Sequence, residues 1–481
     1  MNPRFVRRLP GLVLSLGAAA VFTMTGCTSG MVTNGSQPDA ATGPAFLVGT
    51  DAPLGAVVSM QVTLQSVELT NGTSTTATLV KGTPTVDFAR YNGLQGLVDM
   101  VDVPAGTYTG MTLVLGTGTV GYLQTGSGAP TIQTAPAAFS STTVTVNFTN
   151  NLVVGDKTPP VGVRMDFDLA ASVPVSNGQI EMNSSGEVTV NPTFHIDTVT
   201  RGDQRAHIDE LIASVVSLPT STTEPSSFVI QGPHGEQFTI NTSSSTDWDG
   251  DASLSMLNTS SIVAVSGVID PSDQTMDADE VAVLSDTGFY SAGLVTYVTP
   301  SSGQATGLDY YVRAVEPSSL SEVPLGGIAQ VAITGNEKYY IYGMRNPLTN
   351  FLFNASALTP GQEIALGGPD PTASPFDVKR IHLRNWGYNG TIVPKSQNTN
   401  QGTFQLQVKG FAGQVVPTTV TVYIGPVCDF RYGLGAFTDL TDSTSVRVVG
   451  VLLNLNGNLV LVARHIDGTD LTDFTTAAAV E

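Results

Sequence analysis

Residues 45–72 read AFLVGTDAPLGAVVSMQVTLQSVELTNG. Within this stretch Val58, Met60, Val62 and Leu64 alternate with Ser59, Gln61 and Thr63. A period of two puts one side of an extended chain in a core and the other in water. Asn71-Gly72 follows as a turn signal. Residues 101–116, VDVPAGTYTGMTLVLG, repeat the theme: Pro104-Ala105-Gly106 turn the chain, and Tyr108 opens a second alternating run through Met111, Leu113 and Leu115. TTVTVNFTNNLVV and VGVRMDFDLAASV continue it. Strands spaced by turn residues predict an antiparallel β-sandwich over 45–200.

Composition supports an all-β chain. Of 481 residues 41% are hydrophobic and only 12% charged, about half the usual ~25%. Solubility must come from Ser, Thr, Asn and Gly, which with Val favour strands and turns over helices. The net charge of −20 repels phosphate backbones and argues against nucleic-acid binding. It also disfavours docking on anionic lipid, so a membrane link is expected to be covalent. The two cysteines are Cys27 and Cys428. If the first is modified, the second has no partner within the chain and is expected to be a small buried residue.

Residues 1–27 read as an export leader, with Arg4, Arg7 and Arg8 ahead of an uncharged run from Leu12 to about Met24. That run is short for a membrane span, which needs about 20 apolar residues. Met24-Thr25-Gly26-Cys27 resembles the bacterial lipobox, with Met at the usual Leu position. The resemblance implies lipidation at Cys27: the thiol takes a diacylglyceryl group, cleavage frees its amine, and two or three chains give stable anchoring. Thr28 in place of Asp implies the outer membrane of a double-membrane bacterium. The competing reading is plain secretion after Ala18-Ala19-Ala20, a site that lies inside the apolar run. Residues 28–44, rich in Gly, Ser, Thr and Pro, are expected to be a flexible tether.

Beyond 206 a period of 80–95 residues emerges. SIVAVSGVIDPSDQTMDADEVAVL, QEIALGGPDPTASPFDVKRIHL and SVRVVGVLLNLNGNLVLVARHI end the three copies. Each holds alternating apolar residues, a glycine (Gly267, Gly367, Gly450), a turn and a second strand. Glycine there suggests a bulge or sharp bend. Each copy predicts about five strands, with a short helix before the fourth near Ser253–Leu257 and Asn354–Leu358. The expected units are 206–289, a divergent 290–386, and 387–468, followed by a tail, 469–481.

Thr50-Asp51-Ala52-Pro53, the strand after it and the Pro-Ala-Gly-x-Tyr turn resemble a domain of unknown function common in bacterial lipoproteins, family 4382 of such domains. This resemblance implies a prealbumin-like or starch-binding-like sandwich without established catalytic residues. The repeats resemble a second uncharacterised family, 5666, and imply small five-stranded barrels of the oligonucleotide/oligosaccharide-binding (OB) type. Asp51 is expected to accept hydrogen bonds from backbone amides of its own turn.

Chemistry is sparse. The five histidines, His195, His207, His234, His382 and His465, form no close ligand pair. His382 and His465 occupy matching places in their repeats and are expected at a barrel rim. Gly116 to Gly121 spell G-x-G-x-x-G without the helix that a phosphate loop needs. Asp247, Asp249 and Asp251 resemble the start of a calcium loop, but Ala252 and Asn258 stand where that loop wants Gly and Glu. The preferred reading is structural, because Asp247-Trp248 aligns with Asp429-Phe430 of the third repeat. Trp248, Trp386 and Tyr388 are weak candidates for a sugar-stacking platform, the latter two better suited to filling the junction between the second and third repeats. No enzymatic chemistry, cofactor or resident metal is expected. The function expected from sequence is a structural or protein-binding role in the cell envelope, with carbohydrate binding as the alternative.

Overall fold

Strand Thr42–Ala52 shows how the parts are joined. Its alternate residues Ala45 and Leu47 enter the sandwich core, while Phe46 and Val48 enter the core of the first barrel. A strand buried on both faces must be apolar on both, which accounts for the unbroken run AFLV. The computed structural model describes residues 41–468 and 475–478, apart from 73–75, 125–128, 156–158, 177–178, 204–205, 233–234, 317–322, 345–350, 369–374 and 409. Cys27, the leader, most of the tether and His234 lie outside the described residues. The strand begins at Thr42, paired with Pro104, inside the stretch expected as tether.

The sandwich has two layers. One sheet runs in the order Thr475–Ala478, Thr193–Thr200, Val161–Asp168, Thr42–Ala52, Gly96–Pro104. The other centres on Gly106–Gln124, flanked by Val57–Thr70, Thr131–Phe139 and Thr143–Val154. The sheets are mixed rather than antiparallel throughout. Thr42–Ala52 lies parallel to Val161–Asp168, and Val188–Val190 parallel to Ala137–Phe139. Parallel neighbours need a long crossover. Here most of the second sheet, from Val57–Thr70 to Thr143–Val154, intervenes in the chain. The expected tail also takes part: Thr475–Ala478 pairs antiparallel with Thr193–Ile196.

Three small barrels follow. The third closes through Trp386–Ile392, Thr403–Val408, Thr418–Arg431, Asn458–Gly468 and Ser445–Leu455. Its order, first-second-third-fifth-fourth and back to the first, recurs in the first barrel. There, Gln237–Thr242 meets Thr275–Ser285 in parallel to complete the ring. The middle copy differs in its last strand, which is broken in two. Phe376–Asp377 pairs with Ile328–Ala332, and Arg380–Leu383 pairs with Glu363–Gly367 and Lys338–Ile341. The expected short helices are single 3-10 turns at Leu254–Met256 and Ala355–Ala357. Gly267 and Gly450 each sit at a register shift. A Cβ on either would lie 2.1 or 2.0 Å from the facing carbonyl oxygen of Asp277 or Val462. At Gly367 the obstruction is Leu284 O of the first barrel, at 2.2 Å, so this glycine serves a contact between barrels.

The closing hairpin of a repeat is also its docking face. Ile262, Ala264, Ala282 and Leu284 of the first barrel cluster with Tyr290, Ala292 and Ala365 of the second. Val451, Leu453 and Val462 of the third enter the core of the second. Contacts gather Ala41–Glu481 into a single unit.

Candidate functional site

The sequence-predicted site residues do not come together. Asp251 pairs with Lys338 at 2.9 Å and Arg380 at 2.6 Å. Asp249 is buried and accepts from Gly343 N at 3.2 Å, while Glu280 accepts from the same amide at 2.8 Å. Burial, then the neighbouring Glu280, raises the Asp249 pKa far above the usual carboxylate range. Asp247 is exposed. The three acids are thus turned to separate surroundings and do not frame a calcium loop. Among the described residues no group of three or more His, Cys, Asp or Glu is placed to hold a metal.

The aromatic platforms are likewise closed. Trp386 and Tyr388 are 6% and 7% exposed. The Arg313 guanidinium lies 4.7 Å over the Trp386 ring, and Tyr388 donates its hydroxyl to Gly361 O at 2.8 Å. Trp248 packs against the first barrel's core and directs Nε1 at Glu224 Oε1, 3.3 Å away. Asp247-Trp248 and Asp429-Phe430 are indeed equivalent: each pair lies parallel to the last strand of its barrel, opposite Glu280-Val281 and His465-Ile466. His382 lies opposite Ala365 and Tyr340 in the middle barrel, one place away from the position His465 holds in the third. His382 and His465 are buried, not at a rim. Burial, and Arg380 beside it, push the His382 pKa down to about 3. The Cys428 thiol is half-buried, and burial followed by Asp429 pushes it up to about 12.

Asp51 does not serve its own turn. It is wholly buried, and its Oδ1 accepts from Gly93 N at 3.0 Å, 42 residues along the chain. Burial raises its pKa well above the usual value against the pull of Arg447. The neighbouring Asn92 donates Nδ2 to Gly387 O of the third barrel at 2.8 Å. The Thr-Asp-Ala-Pro segment therefore holds the loop that fastens sandwich to barrel.

Beside this fastening lies a cleft of about 830 Å³ between the sandwich and the third barrel, within the ~300–1,000 Å³ common for small-molecule sites. Leu54, Val173, Val175, Val408, Pro417 and Val446 supply much of its apolar wall. Its polar wall comes from strand alternation. In Val161–Asp168 the residues Val163, Met165 and Phe167 face the sandwich core, so Arg164, Asp166 and Asp168 share the other side. Across the sheet, Asp197 stands opposite Arg164, and His195 opposite Asp166. The third barrel contributes Arg447 and Asp467, themselves cross-strand partners, together with Tyr432.

These charges form a chain. Asp166 Oδ2 lies 3.4 Å from Arg164 and 3.3 Å from Arg447, linking the two domains. Arg164 also reaches Asp197 at 3.7 Å, and its guanidinium lies 5.7 Å from the Tyr432 ring centre. His195 Nε2 is 3.4 Å from Asp168 Oδ2. Burial opposes the charge on Asp166, but Arg447 and Arg164 outweigh it and hold its pKa below the ordinary value. For Asp467 burial wins over Arg447 and Arg431, and its pKa is raised. Burial works against Arg447 too, yet Asp166, Asp467 and Asp51 together favour its charged form.

Comparison with known proteins bears on the first domain. Residues 46–185 match the family model "Domain of unknown function (DUF4382)". The match covers most of the sandwich and includes Asp51, Arg164, Asp166 and Asp168. No curated protein matches the chain. A solved Drosophila structure described as "drosophila Unr CSD456" is similar at 10% identity over 54% of this chain and 97% of that one, with a TM-score of 0.15. That score is too low to support an inference.

Proposed function

We propose that this is an exported lipoprotein, held at the bacterial outer membrane by fatty chains on Cys27, with a non-catalytic structural or protein-binding role in the cell envelope. Met24-Thr25-Gly26-Cys27 at the end of an uncharged apolar run carries the reading. A non-catalytic role is supported by how the cleft's ionisable groups are used. Asp166 is shared between Arg164 of the sandwich and Arg447 of the third barrel, bracing the domain boundary, and His195 lies against Asp168 within the sandwich. Carbohydrate binding, the alternative, lacks an open ring face at Trp386 or Tyr388.

The test is fractionation of cells expressing the full chain and Cys27→Ala. The parent is expected in the membrane pellet, with an intact mass that places diacylglyceryl on an N-terminal Cys27. Cys27→Ala is expected in the soluble fraction. Membrane retention of that variant, or a mature N-terminus elsewhere, would overturn the anchor.

A further inference from the structure

We propose that the cleft between the sandwich and the third barrel binds a small cationic amphiphile, an amine or guanidine head on an apolar body. The site is independent of how the protein is anchored.

The observations come from both walls. The cleft is lined by three carboxylates, Asp166, Asp168 and Asp467, against two guanidiniums, Arg164 and Arg447. Both arginines border Asp166. The balance is one negative charge in a largely desolvated space, inside a chain that is itself strongly acidic. A buried negative balance favours a cation over an anion.

Hydrogen bonding points the same way. Asp166 and Asp467 are 2% and 5% exposed, and each keeps its Oδ1 without a hydrogen-bond donor. A buried acceptor left unpaired costs about 1–3 kcal/mol, so these two carboxylates favour a ligand that brings donors. An ammonium or guanidinium brings donors and no acceptor. A carboxylate ligand would bring the reverse and would meet Asp168 at the edge. A neutral polyol would bring donors but would leave the charge imbalance and the valine-rich wall unused. The apolar side, Val173, Val175, Val408 and Val446, suits a hydrocarbon or aryl body.

The test is calorimetry on the full-length protein in a neutral maltoside detergent, with three probes sharing one apolar body: 4-phenylbutylamine, 4-phenylbutanol and 4-phenylbutyrate. The amine is expected to bind at least about tenfold more tightly than either of the others. Asp168→Asn removes a charge but keeps an oxygen for the Ala171 amide, which Asp168 now caps at 2.8 Å. It is expected to weaken amine binding roughly fivefold and leave the acid's unchanged or stronger. Ala171→Trp, at an exposed lining position, is expected to block the amine; a melting curve matching the parent's shows that the variant is folded. The proposal is overturned by equal affinity for the three probes, by preference for the acid, by no heat from the amine at about 1 mM, or by binding that Asp168→Asn leaves untouched.

Discussion

The third barrel meets the second through Val451, Leu453 and Val462, and it meets the sandwich through Asn92, Gly93 and Gly387. The first junction is dry. Around its apolar centre, Arg313 covers Trp386 and pairs with Glu363 at 3.4 Å, while Arg384 joins Glu363 at 3.3 Å and Glu210 of the first barrel. All three barrels contribute to that one network. The second junction is more polar. Asn92 on Gly387 O, Gly413 N on Gly55 O, Leu123 N on Gly413 O and the shared carboxylate of Asp166 hold it, and a cleft opens beside them. The difference teaches how one chain can be both rigid and receptive. Burying apolar hairpin faces fixes the barrels against each other. Joining sandwich to barrel by a few polar contacts leaves concave space where side chains of both domains converge.

If the dry junction carries the stability, breaking it should cost most. Glu363→Ala leaves Arg313 and Arg384 without their shared carboxylate, and removal of one partner from a buried pair costs about 3–5 kcal/mol. An unfolding free energy from urea titration lowered by that amount is expected; a near-neutral result would show that the network adds little to the apolar contacts. Gly387→Ala attacks the other junction. Its Cβ would lie 2.3 Å from Asn92 O, a backbone overlap expected to cost about 1–3 kcal/mol. Hydrogen exchange should then rise at Asn92 and Gly93 while Ile262–Asp270 stays protected. Exchange rising equally in both places would mean that the junctions are not separable.

The smallest effect is expected from Asp51→Asn, within about 1 kcal/mol near pH 4. Asp51 has its pKa raised well above 3.8 by burial. An acid of that kind gives its full contribution below the unfolded pKa and loses it as pH rises through the folded pKa. Asn does not titrate, so the variant should gain on the parent as pH rises from about 4 toward neutral. Melting temperatures of the two proteins across that range check the sign. Parallel curves would mean that Asp51 is ionised in the fold.

Much of the architecture was legible because strands write a period of two. Val58 to Leu64 declared a half-buried strand, and the three apolar hairpins declared the repeat. Their lack of polar alternation, as in VVGVLLNL, carried further information: those faces are covered on both sides, by their own barrel and by a neighbouring one. The cleft was not legible, for a physical reason. Asp166 and Arg447 are 281 residues apart, and nothing local marks them as neighbours. One signal was present. Arg164, Asp166 and Asp168 occupy alternate places in a strand whose other side is Val163, Met165 and Phe167, and charges stacked on one side of a central strand must find partners or water. Asp51 misled through locality, since a turn next to Pro53 invites a local hydrogen bond and the amide it serves belongs to Gly93. Trp386 was legible only as a preference for the junction, because an aromatic at a junction and one on a platform share a sequence signature; the cover supplied by Arg313 distinguishes them.

Residues 475–478 lie against Thr193–Ile196 and complete the edge of the first sheet. During synthesis, nearly three hundred residues of barrel must emerge before that edge acquires its neighbour. Until then the sandwich offers unpaired amides and carbonyls to any extended chain nearby, the circumstance in which strands pair with the wrong partner. Shortening the polypeptide by its last dozen residues would therefore alter a domain encoded some three hundred residues upstream, leaving its border open to association with other copies.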